Sequence, residues 1–144
     1  MKINRNDSIK ILFNVSDSKS NTYGKLNYNN WVEFIENQKD YFVWYEETDD
    51  GKEVLLNIGK VPEWALEGVN YNLNRTMVYS TNKIVKKPQD FIMRWFLDEE
   101  IVKVDIEKKM TKDVAKILLE MSTFLNGKLI INGTKELENI EQLS

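Results

Sequence analysis

Apolar and polar residues alternate over positions 8–15, with Ile9, Ile11, Phe13 and Val15 on one side and Lys10, Leu12 and Asn14 on the other. A period of two predicts a half-buried strand. A polar loop over 17–25 follows. The period then changes: Trp31, Phe34 and Ile35 fall at i, i+3 and i+4 behind Asn30-x-x-Glu33, a loose capping box, which predicts a short amphipathic helix ending near Gln38. Residues 41–48 and 53–58 are rich in aromatic and β-branched side chains. Asp49-Asp50-Gly51 between them predicts a hairpin turn. Pro62 and Gly68 bracket one or two helical turns. Residues 69–74 read as irregular and 76–85 as a strand closed by Pro88. Strands over 91–97 and 101–106 flank a second charged tip, Asp98-Glu99-Glu100.

The longest signal is Met110, Val114, Ile117, Leu118, Met121, Phe124 and Leu125, which keeps helical spacing for four turns before Gly127, placed as a helix stop. A short strand over 128–132, a turn at Asn132-Gly133 and an acidic tail over 136–144, read as partly disordered, complete the chain. No repeat or linker divides residues 1–144. Strands interrupted by helices predict one α+β domain, an antiparallel sheet with helices packed on one face.

Composition sharpens this picture mainly by what is missing. There is no histidine and no cysteine in the 144 residues. The side chain that titrates near neutrality, the usual thiolate nucleophile and the common zinc ligands are therefore absent. Sixteen asparagines and two alanines are a bias of the kind AT-rich coding produces, which accounts for part of that absence. Twenty basic and 23 acidic residues give a net charge of -3, and only three of the basic residues are arginines (Arg5, Arg75, Arg94). This balance disfavours nucleic acid as a partner. No apolar run is long enough for a membrane helix and the N-terminus does not read as a signal peptide, so a cytoplasmic protein without a membrane partner is expected.

Nucleotide-binding loops and nucleophile elbows are absent as motifs, and the acidic stretches lack EF-hand spacing; no catalytic residue, metal ligand or cofactor is assigned. Paired-carboxylate hydrolysis, with Asp105 facing Glu53, is a minor alternative that nothing in the spacing requires. Lys83, Lys86, Lys87 and Arg94, near Tyr79, Trp95 and Phe96, form a minor candidate patch for single-stranded nucleic acid. Trp31, Trp44 and Trp95 sit among apolar neighbours and read as core. Trp64 differs: it is flanked by Glu63 and Glu67 and reads equally as a plug for the sheet end or as an interface anchor. The candidate partner-binding residues are thus Glu46, Glu47, Asp49 and Asp50 at one tip, Asp98, Glu99 and Glu100 at the other, with Trp64 and Tyr71. Solvated turns are the bland reading of both tips.

In layout, the strand pair over 91–97 and 101–106, the helix over 111–126 and Gly127-Lys-Leu-Ile-Ile-Asn-Gly133 resemble small bacterial immunity proteins that neutralise polymorphic or contact-dependent toxins. The resemblance covers about a third of the chain and includes no signature residue. It implies a cytoplasmic inhibitor that occludes a basic toxin domain with an acidic, aromatic-bearing surface, without catalysis. The alternative from the residues is a small-ligand or carbohydrate module using aromatic faces on an open sheet.

Overall fold

The period-two segments assemble into a seven-stranded antiparallel sheet in the computed structural model, which describes residues 1–13, 16–17, 22–23, 25–81 and 87–143. Its strands are β1 (Ile9–Phe13), β4 (Phe42–Trp44), β5 (Met77–Ser80), β6 (Phe91–Phe96), β7 (Ile101–Ile106), β8 (Gly127–Ile131) and β9 (Lys135–Leu137), ordered β4-β5-β6-β7-β1-β8-β9. The pairs β2 (Ser16–Asp17) and β3 (Thr22–Tyr23) form a separate small ribbon. Both sheet edges, β4 and β9, are only three residues long, which limits the unpaired backbone they present. The expected strand residues at 14–15 and 82–85, and Lys83 and Lys86, lie outside the described residues.

One face of the sheet carries Phe42, Trp44, Val78, Phe91, Met93, Trp95, Val102, Val104, Ile9, Ile11, Leu129 and Leu137, all buried. Helices α1 (Tyr28–Glu36) and α4 (Lys112–Phe124) cover it with Trp31, Phe34, Ile35, Val114, Ala115, Leu118 and Met121. At its centre Trp31 meets Trp44 edge-on at 5.5 Å and Trp95 at 5.8 Å between ring centroids. The three tryptophans are at most 1% exposed, as their local periods predicted. The result is the expected α+β domain, an antiparallel sheet backed by helices.

Several boundaries differ from the sequence reading. Helix α1 starts one turn early, capped by Asn27, whose Oδ1 accepts from the Asn30 N–H. The hairpin expected at Asp49–Gly51 is instead a 3-10 turn (Tyr45–Glu47) followed by helix α2 (Asp49–Leu56). The physical reason is Thr48. Its hydroxyl accepts from the Gly51 N–H at 3.0 Å, and Asp49 and Asp50 complement the helix dipole in the first turn. Gly51 serves packing rather than a turn, since a Cβ there would lie 1.9 Å from the Tyr45 carbonyl oxygen. Helix α3 (Glu63–Asn72) continues past Gly68 and takes in residues 69–72 of the segment read as irregular.

At the end of α4, Asn126 takes the left-handed conformation (φ 54°) expected of Gly127. Gly127 itself opens β8, where a Cβ would meet the Leu12 carbonyl oxygen at 2.9 Å. Residues 136–143 belong to the fold rather than a free tail. Leu137 and Leu143 join the core, and the Met1 amino group donates to the Gln142 carbonyl at 2.8 Å. Asn139 and Gln142 cap the intervening 3-10 turn (Ile140–Gln142) reciprocally.

Candidate functional site

Strand direction decides where the two acidic segments go. β4 and β6 both pair antiparallel with β5, so they run the same way, and the chain leaves both at the same end of the sheet. Residues 46–50 follow β4 and residues 97–100 follow β6. The Arg75 N–H, just before β5, donates to Glu46 Oε2 at 2.7 Å at this same end. Helix α3 arrives there too. The Tyr71 hydroxyl donates to the Trp95 carbonyl and accepts from the Leu97 N–H at 3.2 Å, while the Thr76 hydroxyl donates to the Tyr71 carbonyl. Burial raises the Tyr71 phenol above its ordinary range; the Leu97 N–H opposes this and the Asp98 charge adds to it. It therefore stays a neutral donor at physiological pH.

The hairpin expected over 91–106 is present, closed by Leu97–Glu100, with Glu100 in the left-handed region (φ 51°). Its tip and α3 enclose an open groove of about 610 Å³ lined by Trp64, Glu67, Tyr71, Phe96, Leu97, Asp98 and Glu99. Trp64 is 88% exposed and Leu97 64%. Helix α3 buries no side chain fully. Trp64 is thus not the plug of the sheet end. It stands out from a helix tied down by the Tyr71 and Thr76 hydrogen bonds and by the half-buried Ala65, Leu66 and Val69, beside two carboxylates of the neighbouring tip.

Of the nine candidate residues, Trp64, Tyr71, Asp98 and Glu99 share this groove, and the other five do not. Glu46 is half-buried, held by the Arg75 N–H, and its other oxygen is buried with no hydrogen-bond partner among the described residues. Burial raises its carboxyl above the ordinary value; the hydrogen bonds it accepts oppose this, and Glu47 adds to it. Glu47 lies 3.5 Å from Lys39, which also pairs with Glu36 at 3.3 Å. Asp49 and Asp50 sit in the first turn of α2, and Asp50 borders a different groove, with Tyr45, Glu53, Lys60 and Tyr79. Glu100 turns away to Lys25 at 3.8 Å.

Three groove members lie outside the nine candidates: the sequence reading gives Glu67 only as a flank of Trp64 and Phe96 only to the candidate nucleic-acid patch, and it leaves Leu97 out of any site. Leu97 continues the strand pattern in sequence and would alternate onto the core face, but β6 ends at Phe96, so Leu97 belongs to the tip. An apolar residue directly before an acidic turn was the available signal. The minor alternatives fare differently. Asp105 lies on the sheet face away from α1 and α4, opposite Ile92, whereas Glu53 lies on α2 in the Tyr45–Tyr79 groove. Trp95 points into the core, away from Arg94, and Tyr79 is 7% exposed, so neither offers a stacking face beside the cations. Among the described residues no three acidic side chains gather as a metal-holding group, and no helix is long and apolar enough to cross a membrane. Compared with protein-family models, with curated proteins and with solved structures, the chain matches none.

Proposed function

We propose that this protein is a non-catalytic binding module that docks a basic protein surface at the sheet end carrying Trp64, Leu97, Asp98 and Glu99. The observation that carries the reading is the exposure of Trp64 (88%) beside Leu97 (64%). A tryptophan gains little by standing in water, and such a residue beside an apolar neighbour is the anatomy of an interface centre. Glu67, Asp98 and Glu99 around it supply the charged rim, which steers a basic partner. Inhibition of a toxin domain by occlusion, in the cytoplasm, is the form of this function that the layout resemblance favours. A carbohydrate platform finds less support, because the other three tryptophans are buried.

The test is affinity capture from the cells that make the protein, with elution in salt steps. The wild type is expected to retain a partner that elutes as salt rises. Trp64→Ala/Leu97→Ser and Asp98→Lys/Glu99→Lys, each checked for unchanged melting temperature, are expected to lose it. Retention of the same proteins by all three baits counts against the reading.

A further inference from the structure

The sheet face turned away from α1 and α4 is covered only in part. Near β4 and β5, Tyr79 packs against Tyr45 at 5.7 Å, and Tyr79 and Met77 are buried. Further across, register places Arg94 of β6 directly opposite Lys103 of β7, and Lys103 directly opposite Lys10 of β1. Alternation along each strand puts all three on this face, since Met93, Trp95, Val102, Val104, Ile9 and Ile11 point into the core. Three cations thus stand in one row across three adjacent strands, about 5 Å between neighbouring strands.

None of the three makes an ion pair among the described residues; the nearby cation Lys128 is instead matched, to Glu136 at 3.7 Å. The acids that register places on this face are Asp105, two residues from Lys103 along β7, and Glu136, which lies opposite Ile130 and is taken up by Lys128. Like charges directly opposite on paired strands destabilise a sheet. Lysines often guard sheet edges against aggregation, but β6, β7 and β1 are interior strands, so that explanation does not apply. The row also runs against the net charge of -3. Around it lie Leu12, Ile92, Phe96 and Ile130, all half-buried.

We infer that the part of this face left open by the described residues, centred on Arg94, Lys103 and Lys10, is a docking surface for an acidic amphipathic helix of a partner protein. A helix is the element that completes a layer on an open sheet face. Its apolar stripe meets the aliphatic residues while flanking carboxylates neutralise the cation row. Single-stranded nucleic acid fits less well, because the aromatic rings near the row among the described residues are the half-buried Phe96 and the buried Tyr79, and stacking platforms use several open faces. The inference does not depend on Trp64.

The probe is a fluorescein-labelled peptide of about 18 residues with leucines at helical spacing (i, i+3, i+4, i+7) and glutamates beside them. It is titrated into the full chain, with a glutamate-to-lysine version and an oligo-dT strand as comparisons. Saturable anisotropy with amide shifts at Lys10, Leu12, Arg94, Lys103 and Ile130 is expected. About a tenfold loss is expected with Lys10→Gln/Lys103→Gln or in high salt, and none with Trp64→Ala. The same charge-neutral double variant should melt higher than the wild type, because it relieves the row. No saturable binding of the acidic peptide, shifts on other surfaces, preference for oligo-dT, or a lower melting temperature of the double variant would each overturn the inference.

Discussion

At the residue scale, contact geometry separates side chains that composition treats alike. Gly51 and Gly68 both lie in helices, yet a Cβ at Gly51 would collide with the Tyr45 carbonyl, and one at Gly68 would meet nothing within 4 Å. Gly51→Ala is therefore expected to destabilise by about 1–3 kcal/mol through backbone displacement. Gly68→Ala is expected to stabilise by about 0.5–1 kcal/mol through helix propensity. Chemical denaturation of both variants checks the pair. Glu46 makes a similar distinction among acids. Its folded-state pKa is raised, chiefly by burial, so the charged form weakens the fold at neutral pH. The penalty fades as pH falls through the folded pKa and is gone below the ordinary carboxyl value of about 4.3. Glu46→Gln keeps an acceptor for the Arg75 N–H. It should raise the melting temperature at pH 7, and the difference should vanish below about pH 4; an equal gain at both pH values would refute the burial account.

At the element scale, the contrast is between helices that build the core and helices attached to it. Helix α4 buries Val114, Ala115, Leu118, Met121 and Ser122, and α1 buries Trp31, Phe34 and Ile35; α3 buries nothing fully. Local opening free energy follows buried contact, so amides of α3 should exchange with deuterium faster than those of α1 and α4. Uniform protection across all three helices would contradict this. The same contrast explains what was legible. The α4 stripe and the β6–β7 hairpin carry strong, uncontested periods. Residues 48–56 carry two signals at once: Asp-Gly favours a hairpin, while Thr48 with Asp49 and Asp50 favours a helix start. The Thr48 cap prevails, and the close packing of Gly51 on the Tyr45 backbone that goes with it is invisible to local propensity.

At the scale of the whole molecule, the core and the proposed docking surface use different tryptophans. Trp31→Ala removes the centre of the aromatic core and should cost about 3–5 kcal/mol. Trp64→Ala should stay within about 0.5 kcal/mol of wild type in denaturant titration, because the ring is almost fully solvated. A large stability loss at Trp64 would make it a structural residue and undo the docking surface. The sequence by itself determined which face of each strong element is apolar, that Trp31, Trp44 and Trp95 are buried, and that the domain is α+β, because local periodicity alone dictates those. Only the tertiary structure decided that Trp64, Tyr71, Asp98 and Glu99 share a groove while Glu46, Glu47, Asp49, Asp50 and Glu100 do not, and that Arg94, Lys103 and Lys10 stand in a row. These are relations between strands far apart in the chain. They follow from the order β4-β5-β6-β7-β1-β8-β9 and its register, which long-range pairing sets and no local pattern encodes.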